Sequence, residues 1–111
     1  MGLTNDADYL LCTLYKHYKE QRKNGVSKAD AKFMGSSEHI FQTLLSEWTF
    51  EDVDETCREL DRADLLQCIY ADNIVYLAIL EDAAIIYMEN RFKNGLSEIL
   101  ENLTRLKSIL F

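Results

Sequence analysis

Residues 48–80 read WTFEDVDETCRELDRADLLQCIYADNIVYLAIL, and a change of period inside this stretch decides the fold. Thr49 stands where a helix N-cap is expected, with Asp52 three residues later, and the apolar residues that follow recur with the 3.6-residue period of a helix. Further along, the apolar residues alternate with a period of two on both sides of the turn sequence ADN, as in a β-hairpin. The stretch therefore predicts a helix and two strands: Phe50–Arg62, Leu65–Tyr70 and Val75–Ile79.

Upstream of this stretch, the sequence predicts three more helices. The first has apolar residues at helical spacing and is followed by an Asn-Gly pair, which commonly ends a helix. Serine is a preferred N-cap residue, and one stands before each of the two shorter helices, with Ser36 or Ser37 capping the second. The three predicted helices are Asp8–Lys23, a short helix from Ser27 to about Phe33, and Ser37–Leu45.

Downstream of the hairpin, the helical period returns at Glu81, is interrupted at Asn94-Gly95 and then continues to the last residue. The final part carries five leucine or isoleucine residues at alternating intervals of three and four, which form the apolar seam of two heptads. A helix this short is marginal alone in water, so the seam must pack on a partner subunit or on the first helix of the same chain. We expect the partner subunit, which makes the seam a candidate homodimer interface: Leu96, Ile99, Leu103, Leu106 and Leu110.

Composition restricts the class of protein. The sequence has 111 residues, enough for one domain, of which 48% are hydrophobic, and it contains no proline. No apolar run approaches the ~20 residues of a membrane span, and the first residues lack the basic and apolar regions of a secretory signal. We therefore expect a soluble, cytoplasmic protein that does not associate with membranes.

The sequence offers little chemistry for catalysis or for metal binding. Cys12, Cys57 and Cys68 are far apart and lie among apolar neighbours, which is typical of buried thiols in a reducing compartment. His17 and His39 have no ligand partners at zinc-like spacing, and there is no glycine-rich phosphate loop. We therefore expect a protein that is not an enzyme, with no catalytic residue, no cofactor and no metal site.

Acidic residues are concentrated in the middle of the chain. The net charge is −7, and residues 41–90 hold twelve acidic residues against only two basic ones, Arg58 and Arg62. Asp54 with Arg58 and Glu59 with Arg62 have the spacing of ion pairs within a helix. Because the apolar residues of this helix turn inward, we expect its exposed face to offer mainly carboxylates.

The order of the predicted elements resembles that of small bacterial winged helix-turn-helix proteins. A first helix precedes a helix pair joined through Ser46-Glu47-Trp48-Thr49, and residues 62–66, RADLL, are similar to the junction between helix and wing. Residues 80–89, LEDAAIIYME, are similar to the re-entry into a helix after the wing, and the long helix beyond resembles the dimerisation helix of PadR-type regulators. The resemblance implies a mainly helical fold with a small β-hairpin, in which residues 1–80 form the winged helix-turn-helix domain and residues 81–111 a helical dimerisation segment of the same domain.

The resemblance also implies a transcription regulator that binds duplex DNA as a homodimer, with the helix Phe50–Arg62 in the major groove. The candidate DNA-binding residues are then Lys28 and Lys32 on the short helix, and Arg58 and Arg62 on the groove helix. The acidic character of the groove helix opposes this function, because carboxylates repel phosphates. The alternative is a protein–protein interaction or adaptor module on the same scaffold, which captures a basic partner through this acidic helix.

Overall fold

The structure is a computed structural model that describes residues 2–111. Over these residues the chain is mainly helical and carries a small antiparallel sheet of three strands in the order β1-β3-β2. Among the same residues, no helix is both long enough and apolar enough to cross a membrane. The elements are, in chain order, α1 (Asn5–Lys23), α2 (Lys28–Ala31), β1 (Phe33–Gly35), α3 (Ser37–Thr43), α4 (Phe50–Arg62), β2 (Leu66–Ala71), β3 (Ile74–Leu80), α5 (Asp82–Arg91) and α6 (Leu96–Leu110).

Short polar side chains cap four of the helices. The hydroxyl oxygens of Ser27, Ser36 and Thr49 each accept a hydrogen bond from the backbone N–H three residues later, as their sequence positions predict. Thr4 does the same for α1, which therefore begins at Asn5 and not at the predicted Asp8. Each cap gives a partner to one of the N–H groups that a helix leaves unpaired at its start.

The predicted hairpin is present as β2 and β3, and each strand end lies within one residue of its predicted position. The turn residues Asp72 and Asn73 both have positive φ, 52° and 65°, as in a type I′ turn. Aspartate and asparagine adopt this left-handed conformation more readily than most residues that carry a Cβ. The turn chemistry read from the sequence therefore fixes the pairing next to the turn, and the register shifts further along, between Ile69 and Tyr70.

The segment predicted as the end of a short helix is partly a strand. The helix that Ser27 caps ends at Ala31, and Phe33–Gly35 forms β1, which pairs antiparallel with β3. Gly35 has a φ of 82°, and a Cβ at this position would lie 3.0 Å from the ring of His39. Three residues are too few to show a strand period in a sequence, so the pairing with β3 decides their conformation.

Helix α1 lies in the centre of the hydrophobic core. Leu10, Leu11 and Leu14 are fully buried, and α6 packs along α1 with Ile99 and Leu106 also fully buried. Residues from α1 through β3 and residues from α5 and α6 contribute to a single core cluster. The C-terminal helices are thus an integral part of the fold of the single chain.

An ion pair attaches α1 to α5. The guanidinium group of Arg91 donates two hydrogen bonds to the carboxylate of Asp8, at 2.6 and 2.9 Å. Burial by itself raises the pKa of Asp8, but the hydrogen bonds and the charge of Arg91 outweigh it and hold the pKa below its ordinary value. A two-pronged pair of this kind fixes direction as well as distance, so it orients α5 against α1.

Candidate functional site

The helix pair α3–α4 and the β2–β3 turn form the surface that the sequence singles out for binding. Four side chains of α4, spaced by four, three and four residues, lie on one side of the helix and are exposed or half-buried. We call this surface the α4 face and define it by Glu51, Glu55, Arg58 and Arg62. The opposite side of α4 packs into the core, where Val53, Cys57 and Leu60 are fully buried.

Asp54 connects the three elements that build this surface. Its carboxylate accepts hydrogen bonds from Ser37 Oγ on α3 at 2.7 Å, from the backbone N–H of Val75 on β3 at 2.9 Å, and from Arg58 Nε at 2.9 Å. Burial raises its pKa, but these three donors together lower it below the ordinary value of an aspartate. The expectation that the carboxylates of this helix lie on its exposed face is wrong for Asp54, because the residue is buried.

Arg58 is bound to the hairpin as well as to Asp54. The predicted pair with Asp54 is confirmed, and a second nitrogen, Nη2, donates to the backbone carbonyl of Asn73 at 2.8 Å. The guanidinium carbon lies 4.9 Å from the centre of the Tyr70 ring, and the hydroxyl of Tyr70 donates to Asp61 at 2.6 Å. The guanidinium group of Arg58 therefore holds the turn of the hairpin against α4.

Arg62, the other arginine of α4, also has a carboxylate partner. Its Nη2 lies 3.1 Å from Glu55 Oε1, and both side chains are about two-thirds exposed. The predicted pair between Arg62 and Glu59 is wrong, because Glu59 lies toward the start of α1 and accepts a hydrogen bond from Thr4 Oγ1 at 2.8 Å. An exposed pair such as Arg62–Glu55 contributes less than about 1 kcal/mol, so Arg62 can exchange partners.

The two candidate DNA-binding lysines lie away from the α4 face. Lys28 is exposed on α2, and Lys32 forms an ion pair of 3.0 Å with Asp82 at the start of α5. The backbone carbonyl of Lys32 accepts from the N–H of Leu80, at the end of β3 opposite the turn that Arg58 holds. At about 3.3 Å per residue, the seven residues of β3 span roughly 20 Å. Lys32 and Arg58 are therefore at opposite ends of β3.

The apolar seam of α6 is in contact with α1 of the same chain. Ile99 and Leu106 have no accessible surface, and Leu103 and Leu110 are half-buried against the core. Leu96 is 39% exposed. In the single chain the seam thus packs on α1, which is the second of the two arrangements that its sequence allows. Two further apolar side chains of α6 remain exposed, Leu100 and Ile109.

An apolar hollow of about 330 Å³ lies between α3, the start of α4 and the start of β3. We call it the α3–α4 hollow and define it by Phe41, Phe50 and Ile74, with Glu38 and Gln42 also lining it. The two phenylalanine rings meet edge to face, with their centres 6.5 Å apart, and both side chains are only half-buried. The helical pattern predicts that the apolar residues of α4 turn inward, and for Phe50 this is only partly so, because its side chain is half-buried and lines the hollow.

The three thiols lie where the sequence predicts, with one exception. Cys12 and Cys57 are fully buried, whereas Cys68 is half-buried on β2. Burial is the largest cause of a raised pKa at all three thiols, and it brings the pKa of Cys12 to about 12. Residues 2–111 contain no group of three or more His, Cys, Asp or Glu side chains arranged to hold a metal ion.

Comparison of this chain with known protein families, curated proteins and solved structures found no match. Its function is therefore inferred from its own side chains. The features that bear on it are the engaged arginines of the α4 face, its acidic side chains and the α3–α4 hollow beside them.

Proposed function

We propose that this chain is a winged helix-turn-helix protein that acts by binding another protein through its α4 face. The order of elements supports the scaffold: α1 and β1 are followed by the helix pair α3–α4 and by the hairpin β2–β3, with β3 in the centre of the sheet. In that layout α4 corresponds to the recognition helix and the hairpin to the wing. The scaffold alone does not select the ligand, so the side chains of α4 must do so.

The observation that carries the proposal is the engagement of Arg58 by Asp54 and by the turn of the hairpin. Arginine reads a guanine by holding its O6 and N7 with two nitrogens of a free guanidinium group. Arg58 is instead bonded to Asp54 and to the turn of the hairpin, and Arg62 is paired with Glu55. Asp54 balances the charge of Arg58 and Glu55 that of Arg62, whereas Glu51 forms no ion pair within residues 2–111, so with Asp54 counted one negative charge is left on the α4 face. A negative face attracts a basic protein surface and repels the phosphates of DNA.

DNA binding is the second candidate function, and the order of elements favours it. In this alternative, a regulator that dimerises through α6 places α4 in the major groove. To contact a base, Arg58 must leave Asp54, and this exchange leaves a buried carboxylate with one partner fewer. The acidic residues of the α4 face would oppose the same approach.

Two unbiased selections on the purified protein separate these functions. One uses a library of random twelve-residue peptides displayed on phage, and the other uses a library of random duplex DNA, both at physiological salt. We expect peptides rich in lysine and arginine to be enriched, and to lose their binding to the double variant Glu51→Gln, Glu55→Gln. The matched control variant is Glu89→Gln, Glu101→Gln, which removes the same charge from α5 and α6, where both side chains are exposed.

The opposite result refutes the proposal. It would be the enrichment of a duplex family whose binding is lost in Arg58→Ala or Arg62→Ala, with no peptide enriched above background.

A further inference from the structure

The α3–α4 hollow is mainly apolar and has one carboxylate in its lining. The apolar side chains are Phe41, Phe50 and Ile74, and the carboxylate is that of Glu38. At about 330 Å³ it lies at the lower end of the size range of small-ligand sites. Such a volume has room for one or two large apolar side chains and not for an extended ligand.

The walls of the hollow are held in place by hydrogen bonds at its edges. Ser37, the first residue of α3, donates to Asp54 on α4, and this bond fixes α3 against α4. The carbonyl of Asn73, directly before Ile74, is held by Arg58. Because these contacts are made within the chain itself, binding in the hollow would cost little conformational entropy, which favours affinity.

The charges around the hollow indicate the chemistry of its ligand. Glu38 is exposed, and Glu51 is exposed directly after Phe50 in the chain. Within residues 2–111 neither carboxylate forms an ion pair, although the side chain of Gln42 donates a hydrogen bond to Glu38 at 3.4 Å. Half-buried aromatic rings beside unpaired carboxylates complement a ligand that carries an apolar group next to a positive charge.

We infer that the α3–α4 hollow is the anchor pocket for a segment of a partner protein in which a large apolar side chain, such as Leu or Phe, is flanked by Lys or Arg. The apolar side chain enters between Phe41 and Phe50, and the flanking basic residues face Glu38 and Glu51. This inference rests on the proposed function and narrows it to one segment chemistry. A second copy of this chain is a poor occupant, since each copy has a net charge of −7.

The experiment uses the peptides enriched from the random phage library, synthesised with a fluorescent label and titrated with the wild-type protein. We expect each enriched peptide to contain a large apolar residue with Lys or Arg within a few positions. Replacing that apolar residue by alanine should weaken binding at least tenfold. The variant Gln42→Lys should weaken it to a similar extent, because it places a positive side chain at the rim of the hollow. Glu101→Lys on α6 is the control for added charge and should change the affinity less than twofold.

Phe50→Ala is the complementary variant, since it enlarges the hollow and removes one of its rings. Circular dichroism tests whether Phe50→Ala folds. If it does not, Gln42→Lys still tests the hollow, because Gln42 is at an exposed position. NMR amide shifts on peptide addition should be largest at Phe41, Phe50 and Ile74.

Three results would overturn the inference, and they differ in what they leave standing. In the first, basic peptides bind wild type and Gln42→Lys equally but do not bind the double variant Glu51→Gln, Glu55→Gln. This result would exclude the hollow as the binding site and would leave the proposed protein-binding function of the α4 face in place. Failure of any peptide to be enriched, or enrichment of duplex DNA alone, removes both the anchor pocket and the proposed function. Self-association of the protein that is abolished by Gln42→Lys would assign the hollow to a second copy.

Discussion

Replacing Asp54 by alanine should destabilise the protein by about 3 kcal/mol. The change removes a buried carboxylate that accepts from Val75 N–H at 2.9 Å and from Ser37 Oγ at 2.7 Å. A buried donor that loses its acceptor costs about 1–3 kcal/mol, and both Val75 and Ser37 are fully buried. Ser37 loses less, because its hydroxyl can keep a weaker contact of 3.3 Å with the carbonyl of Val75.

Urea unfolding followed by circular dichroism measures this loss. For a domain of this size, with a denaturant slope of about 1.5 kcal/mol/M, a loss of about 3 kcal/mol lowers the unfolding midpoint by about 2 M. Amide hydrogen exchange should also become faster at Val75, whose N–H loses this acceptor. Asp54→Asn retains one acceptor oxygen and should lose about half as much stability.

The neighbouring variant Glu55→Ala is the matched control. Glu55 is exposed and pairs only with exposed Arg62, so its removal should change stability by less than about 0.5 kcal/mol. The difference between the two variants should also shrink in acid. The pKa of Asp54 is lowered in the folded protein, so its stabilisation is present above the unfolded value near 3.8 and is lost as the pH falls through the folded pKa. A loss below about 1 kcal/mol for Asp54→Ala at pH 7, or a loss equal to that of Glu55→Ala, would refute this account of how α3, α4 and the hairpin are held together.

Three further predictions concern the rest of the fold. Partial burial and the nearby carboxylates of Asp52 and Glu59 raise the pKa of Asp6. Asp6→Asn should therefore raise the thermal unfolding temperature at pH 7, and this gain should vanish below about pH 3.8. A lower unfolding temperature at pH 7 would contradict the repulsion. Leu106→Ala should lower the free energy of unfolding by about 3 kcal/mol at protein concentrations where sedimentation shows a monomer, because Leu106 is fully buried within the single chain. An effect seen only in a dimer would assign the seam to a partner subunit. Cys12 should react slowly with a thiol reagent until the protein is denatured, since burial raises its pKa to about 12, and fast labelling of the native protein would contradict this.

Local sequence signals predict much of this fold, because their causes are local. A serine or threonine hydroxyl caps a helix through a hydrogen bond to an N–H three residues away, and Ser27, Ser36 and Thr49 do so where the sequence indicates. The turn at Asp72 and Asn73 is likewise set by residues that tolerate positive φ. The ion pair of Asp54 with Arg58 is local in the same way, whereas the equally local pair of Glu59 with Arg62 does not form, because Thr4 from the start of the chain binds Glu59 instead.

The rest depends on contacts between residues that are distant in the chain. Strand β1 exists because it pairs with β3, more than forty residues later, and three residues alone carry no period. Asp54 lies beside the apolar stripe of α4 in the helical pattern, and two of the three donors to its buried carboxylate, Ser37 and Val75, are distant in the chain. The α3–α4 hollow is hidden for the same reason, since Phe41 and Phe50 both read as core residues until their half-buried rings are seen together.

Arg58 bears most directly on the proposed choice between DNA and protein as the ligand. Arg58 is the cation that a groove-binding helix would use, yet its guanidinium group donates hydrogen bonds to the carboxylate of Asp54 and to the carbonyl of Asn73 in the hairpin turn. The contact that would read a base is therefore in competition with a contact that maintains the shape of the surface. Binding a basic apolar segment involves no such competition, because the unpaired Glu38 and Glu51 and the α3–α4 hollow are available while Arg58 stays in place. A ligand that leaves the supporting contacts intact should bind more tightly than one that must break them, and this asymmetry favours a protein partner.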